Sequence, residues 1–387
     1  MSTSGPHASP YPRFSEPEMA RRRAALHEVM EAHGAFLAVL CGANRSGSAV
    51  QWLTGWPVSR EAMVLVEPGA ADVLLVQFYN HVPAARRIAR DADVRWGGRS
   101  TAATMADLLR ERNTGRVVTI GPVSVRWHEA LSSAATVVAA DRDYARLRTI
   151  KSNEEIEFLR EGARMSDAAM DALWRAARPG VNERELAAAV EVAYVAEGGI
   201  NHVHYFGATP MDDPSVCVPS QYPSTRPLQA GDALSAEISA SYWDHPGQVL
   251  RTFSVEANPS PLYTELHTVA DAAFDAIFEV LKPGATCHEV IDAAAVIDDA
   301  GYTIYDDLLH GFGGGYLPPI LGTRNRTIDE VPDMSFEAGM TVVIQPNVIT
   351  MDERAGVQTG ELVWITERGA ERLHAFPRGL GRAPHRG

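Results

Sequence analysis

Cysteine is scarce in this chain. Only Cys41, Cys217 and Cys287 occur in 387 residues. They are odd in number and far apart, which argues against a disulfide framework and fits reduced thiols in a cytoplasm. No Cys/His spacing resembles a zinc site. No apolar run approaches the roughly 18 residues that a membrane span needs. Positive charge is outnumbered, with 35 Lys and Arg against 49 Asp and Glu and a net charge of −14. That balance argues against a general nucleic-acid or anionic-membrane partner. The start, MSTSGPHASPYPRF, has no basic segment followed by an apolar one, so it does not read as a signal peptide. Its polar, Pro-rich character predicts a flexible arm over residues 1–15.

What is present is ordinary for a globular protein: 45% apolar and 22% charged residues, in a length that suits two domains. Residues 16–148 alternate between helical and strand-like segments. Helices are predicted near 16–33, 82–89 and 102–112, and strands near 35–40, 62–67, 73–78, 94–96 and 117–121. That alternation predicts a small α/β domain. Residues 149–387 form a second domain, opened by a long helix over about 154–177. Ile156, Leu159, Ala163, Met170 and Leu173 recur along one face of it at helical spacing and read as core.

The second domain contains an internal repeat. Its first helix ends in Arg178-Pro179-Gly180-Val181, followed by Asn182-Glu183-Arg184-Glu185. About a hundred residues later, Lys282-Pro283-Gly284-Ala285 leads into Thr286-Cys287-His288-Glu289. Each is a helix stop followed by a capping box, with the cap and the glutamate three residues apart. Each leads to a second helix closed by glycine, then to strand-like sequence. Two pseudo-symmetric halves around one site are expected.

The ordered motifs Ile150-Lys151-Ser152, Glu155-Ile156, Arg160, Gly231-Asp232, Arg251-Thr252-Phe253, His310-Gly311-Phe312-Gly313, Gly339-Met340, Gln345-Pro346 and Thr366-Glu367-Arg368-Gly369 resemble the pita-bread family of creatinase, aminopeptidase P and prolidase. The likeness covers about 150–378. Trp56-Pro57-Val58-Ser59-Arg60, before a strand, is similar to the family's N-terminal domain. The resemblance implies an α/β N-terminal domain joined to an α+β pita-bread domain with a pseudo-twofold repeat. It also implies a pair of metal ions held by two aspartates, a histidine and two glutamates. Carried over one by one, these become Glu237, Gln248, His310, Gln345 and Gly360, with Glu361 beside the last. Two assisting family histidines map near Ser220–Gln221 and Leu317 and are absent.

Two adjacent dications need several charged oxygens, and this set offers one carboxylate. Glu361 does not replace Gly360, because neighbouring strand residues face opposite sides. No metal or cofactor is therefore expected. Glutamine keeps the shape of glutamate and adds donors, so the pocket reads as a hydrogen-bonding site for a small molecule. Creatinase, on the same fold, works without metal, but its general-base histidine maps near Ser220 and two of its glutamates map to Gln345 and Leu250.

The expected activity is metal-independent hydrolysis of a C–N bond in a small polar substrate. His310 and His204 are the proposed proton carriers, and Glu237 is a base or the partner that orients His310. His202 and His204, two apart on a strand, are expected to share a face. Gln248 and Gln345 would bind substrate, and Tyr205, Trp243 and Tyr316 are candidates for the pocket wall. By resemblance, Arg60 would reach a substrate acid group across a homodimer. A non-catalytic binding protein, a metallopeptidase with altered ligands, and a lyase or isomerase on the same fold remain open alternatives.

Overall fold

The computed structural model describes residues 11–44 and 46–383. Of the arm read over residues 1–15, residues 1–10 lie outside that description. Phe14 is buried with the Arg22 guanidinium over its ring, and Ser15 caps the first helix, Glu16–Ala32. The chain divides into two compact units, 1–147 and 148–387.

The first unit is a six-stranded mixed sheet in the order Asp93–Trp96, Val73–Val76, Glu61–Val66, Leu37–Ala43, Arg116–Ile120, Thr136–Ala139. Strands Leu37–Ala43 and Glu61–Val66 are almost wholly buried, and their side chains divide between one core on each face. Helices Ala49–Thr54 and Val125–Ser132 and strand Thr136–Ala139 carry little periodic signal and were not expected.

The second unit is a curved, largely antiparallel sheet. Its strands run Tyr316–Leu321, Leu309–Phe312, Thr341–Ile344, Gly360–Thr366, His245–Ser254, Asp232–Tyr242, Ile200–Pro210. Helix Asn153–Ala176 begins at a capping box formed by Ser152 and Glu155 and buries the stripe Ile156, Leu159, Ala163, Met170 and Leu173. With helix Glu183–Val195 it covers one half of the sheet, and helices Pro261–Val280 and Cys287–Ala293 cover the other. Each fully buried Leu, Ile or Phe in these cores contributes about 2 kcal/mol.

The repeat is visible atom by atom. Both capping boxes form, Asn182 with Glu185 and Thr286 with Glu289. Gly180 and Gly284 share a φ of 90°, the left-handed region that glycine enters without strain. Their N–H groups donate to Leu228 and Phe336 carbonyls, each at 2.9 Å. The two halves meet where strand Gly360–Thr366 pairs with Thr341–Ile344 on one side and His245–Ser254 on the other. Among the described residues no helix is long and apolar enough to cross a membrane.

Candidate active site

The seam between the halves carries the polar centre. Glu237 stands on Asp232–Tyr242 and Gln248 on His245–Ser254; Gln345 follows Thr341–Ile344, and His310 lies on Leu309–Phe312. Their side chains hold one another. The Gln248 amide donates to Glu237 Oε1 at 2.9 Å and to Gln345 Oε1 at 3.0 Å. The Gln345 amide donates in turn to Asp307 Oδ1 at 2.8 Å, and the Tyr316 hydroxyl also bonds Asp307. A side-chain amide has two N–H groups, so Gln248 spends both and offers a ligand only its carbonyl oxygen. Glu237, Gln248, Asp307 and Gln345 are all buried.

Beside this network lies a cavity of about 460 Å³ in the second unit, walled by Glu237, Gln248, Asp306, His202, Gln221, Gln358, three tyrosines (205, 305 and 316), Phe312 and smaller apolar groups. Among the described residues no Lys or Arg lines it. Burial, and then the nearby Asp306 and Asp307, push the Glu237 carboxyl up to about 8. Burial and Asp306 push Asp307 up to about 8 as well, against the pull of Tyr316 and Gln345. Burial also raises Asp306. Taking these carboxyls out of water penalises the charged form, and their closeness adds to the penalty. Burial and the neighbouring acids thus favour the protonated, uncharged form of Glu237.

Several expectations change here. His202 and His204 do not share a face. A bulge between Asn201 and Val203 inserts one residue into the ladder, so the alternation slips. His202 lines the cavity, whereas His204 turns to helix Glu183–Val195 and bonds the Tyr194 hydroxyl at 2.9 Å. Burial lowers His204 to about 4.

His310 is fully buried and outside the wall, stacked under the Tyr316 ring at 3.9 Å between centroids. Its Nδ1 meets the Gly311 carbonyl, its side chain also interacts with Gln345, and burial lowers it to about 4. It is not bonded to Glu237, whose oxygen takes Gln248 instead. Gln345 sits behind Gln248, outside the wall, with its oxygen accepting from Gln248. Trp243 occupies a hairpin turn and is not part of the wall. Arg60 is exposed in the first unit, just before strand Glu61–Val66.

Tyr205, opposite Glu237 in the ladder, and Tyr316 do line the cavity. Sequence reasoning missed Asp306, Asp307 and Gln358. The pair of acids four and three residues before His310 was the available signal.

The residues present do not fit the pair of ions that the family resemblance implies. Glu237 is the one carboxyl at a ligand position, and the two glutamines face each other. A Cβ on Gly360 would stand 2.3 Å from the Ile344 carbonyl oxygen and 2.9 Å from the Gln345 Cα, so this backbone admits no side chain there. Glu361 is fully buried on an ion pair with Arg251 at 2.6 Å and a second with Arg372. His310 could serve as one ligand, yet among the described residues no three His, Cys, Asp or Glu side chains are placed to hold an ion.

Comparison with known proteins agrees with the architecture. Residues 22–150 match the Creatinase/Prolidase N-terminal domain, and residues 157–367, more than half of the chain, match Metallopeptidase family M24. An Xaa-Pro dipeptidase of Pyrococcus furiosus is 28% identical over 235 residues, covering 60% of this chain and 65% of that protein. An uncharacterized hydrolase/peptidase of Sinorhizobium fredii is 27% identical over 291 residues, 71% of each chain. The solved Xaa-Pro dipeptidase from Bacillus anthracis superposes with a TM-score of 0.80 at 20% identity, over 94% of this chain and 99% of that one. The pita-bread fold, the N-terminal domain and the matched span together establish that this chain belongs to metallopeptidase family M24.

Proposed function

We propose that this chain hydrolyses a C–N bond in a small polar substrate without the paired metal ions of its family, using Glu237 as the proton carrier. One observation carries the reading. The ligand positions are satisfied by each other, with Gln248 bridging Glu237 and Gln345 at 2.9 and 3.0 Å. Membership of a peptidase family supports the hydrolytic class.

A carboxyl that titrates near 8 is matched to proton transfer near neutrality. In its ionised form Glu237 takes a proton from water as the water oxygen bonds to the carbonyl carbon. The same carboxyl then delivers that proton to the departing nitrogen as the C–N bond breaks. Gln248 fixes one Glu237 oxygen, leaving the other for this transfer. The buried histidines are not the shuttle in this scheme: His204 lies outside the cavity and His310 lies beneath Tyr316.

The test is a screen of dipeptides, N-acyl amino acids and small amides, with amine release followed by mass spectrometry in the presence of a chelator. Chelator-resistant turnover that Glu237→Gln abolishes is the expected result. Xaa-Pro cleavage that requires added manganese or cobalt, or full turnover by Glu237→Gln, would overturn the proposal. A chain that cleaves nothing in the screen would be a binding protein instead.

A further inference from the structure

The cavity has a charge character that the proposed reaction does not require. Asp306 and Glu237 stand in its wall, with Asp307 bonded just behind through Gln345. Among the described residues no Lys or Arg side chain lines it to offset them. Arg326 stacks on the Tyr305 ring at 4.8 Å, but it reaches toward Glu353 and is not part of the wall. The wall also carries aromatic rings, Tyr205, Tyr305, Phe312 and Tyr316. Aromatic faces attract cations, and more strongly where water is excluded.

A second, independent observation points to the same kind of ligand. Gln358 lines the cavity and is 2% exposed, and its side-chain carbonyl oxygen has no hydrogen-bond partner. A buried acceptor without a donor is costly, and what it lacks is an N–H or O–H group. Acids, aromatic rings and an orphaned acceptor share one complement: a positively charged nitrogen that still carries hydrogen.

We propose that the cavity takes a substrate bearing a protonated amine, seated against Asp306 and Glu237, enclosed by Tyr205, Phe312 and Tyr316, and donating to Gln358. The proposal rests on the reading above that this cavity is the substrate site. An ammonium between the acids lets them ionise together, which their mutual repulsion otherwise opposes. An anionic head group would meet the acids with nothing to balance it.

The test uses three probes of one size: isobutylammonium, isobutanol and isovalerate, titrated into the full chain by ligand-observed NMR and calorimetry. Isobutylammonium is expected to bind at least about tenfold tighter than isobutanol, and isovalerate not to bind. Asp306→Asn, which keeps an acceptor at that position, is expected to erase about a tenfold preference for the ammonium over the alcohol. Tyr205→Leu provides a second variant should the first misfold. Equal binding of the ammonium and the alcohol, tighter isovalerate, or no saturable ammonium binding would each overturn the proposal. So would Mn²⁺ displacing the ammonium, which would make the cavity a metal site. The readout is binding without turnover, so a failed hydrolysis screen and a failed charge preference are separately visible.

Discussion

Replacing Glu237 with glutamine tests the electrostatics of the site through protein stability. The unfolded chain releases this proton near the ordinary value of 4.5, and the folded chain near 8. Between these values the folded state holds a proton that the unfolded state has lost. Stability therefore falls as pH rises through that window, by about 1.4 kcal/mol per pH unit. From about pH 5.5 to about pH 7.5 this one carboxyl removes roughly 2–3 kcal/mol. Glutamine keeps the shape, and its carbonyl still accepts from Gln248 Nε2, so the network survives while the titration disappears.

The variant and the wild type should thus be similarly stable at about pH 5, with the variant gaining roughly 3 kcal/mol on the wild type by about pH 7.5. His204 and His310, both lowered to about 4, act in the opposite direction between there and 6.5. They are present in both proteins and cancel in the difference. Asp307, raised by burial and Asp306, is present in both proteins as well. The assay is urea unfolding at several pH values, read by hydrogen exchange on peptides of the second unit so that the first does not contribute. Parallel stability curves for the two proteins would refute the assignment of a neutral carboxyl at Glu237.

Other perturbations reach other parts of the account. Gln248→Leu leaves the Glu237 and Gln345 oxygens without their donor and should cost roughly 2–5 kcal/mol in calorimetry; a loss below about 1 kcal/mol would contradict the network. Glu361→Gln strips the carboxylate from buried Arg251 and should destabilise by about 3–5 kcal/mol, whereas a neutral effect would show that this carboxylate is free for other work. Gly360→Glu forces a Cβ against the Ile344 carbonyl and should lower the melting temperature, and together with Gln248→Asp and Gln345→Glu it should still bind no metal pair by calorimetry. His204→Phe removes the bond to Tyr194 and should cost about 1 kcal/mol while leaving isobutylammonium affinity unchanged; a changed affinity would place His204 nearer the cavity than the coordinates do.

Much of the fold was legible because its signals are local. Capping boxes at Asn182 and Thr286, the paired Pro-Gly stops and the stripe on helix Asn153–Ala176 are each written within a few residues. The convergence of Glu237, Gln248 and Gln345 was legible only through family motifs, since they come from separate strands. What was missed depends on register and reach. The bulge at His202 inverts which histidine faces the cavity, and nothing in Asn201-His202-Val203-His204 announces it. Asp306 and Asp307 precede a strand rather than lie on it, so no alternation assigns them a face. His310 reads as a proton carrier by residue type, and the structure places it fully buried beneath Tyr316, at 3.9 Å between centroids, outside the cavity wall.

The central claim is that a neutral, hydrogen-bonded centre stands where the family resemblance places two metal ions. Metal analysis of the purified chain, followed by calorimetric titration with manganese and cobalt at pH 7.5, tests it most directly. The account expects far less than one ion per chain and no saturable binding that Gln248→Leu alters. Two tightly held ions per chain, lost together when Glu237 or His310 is replaced, would contradict it.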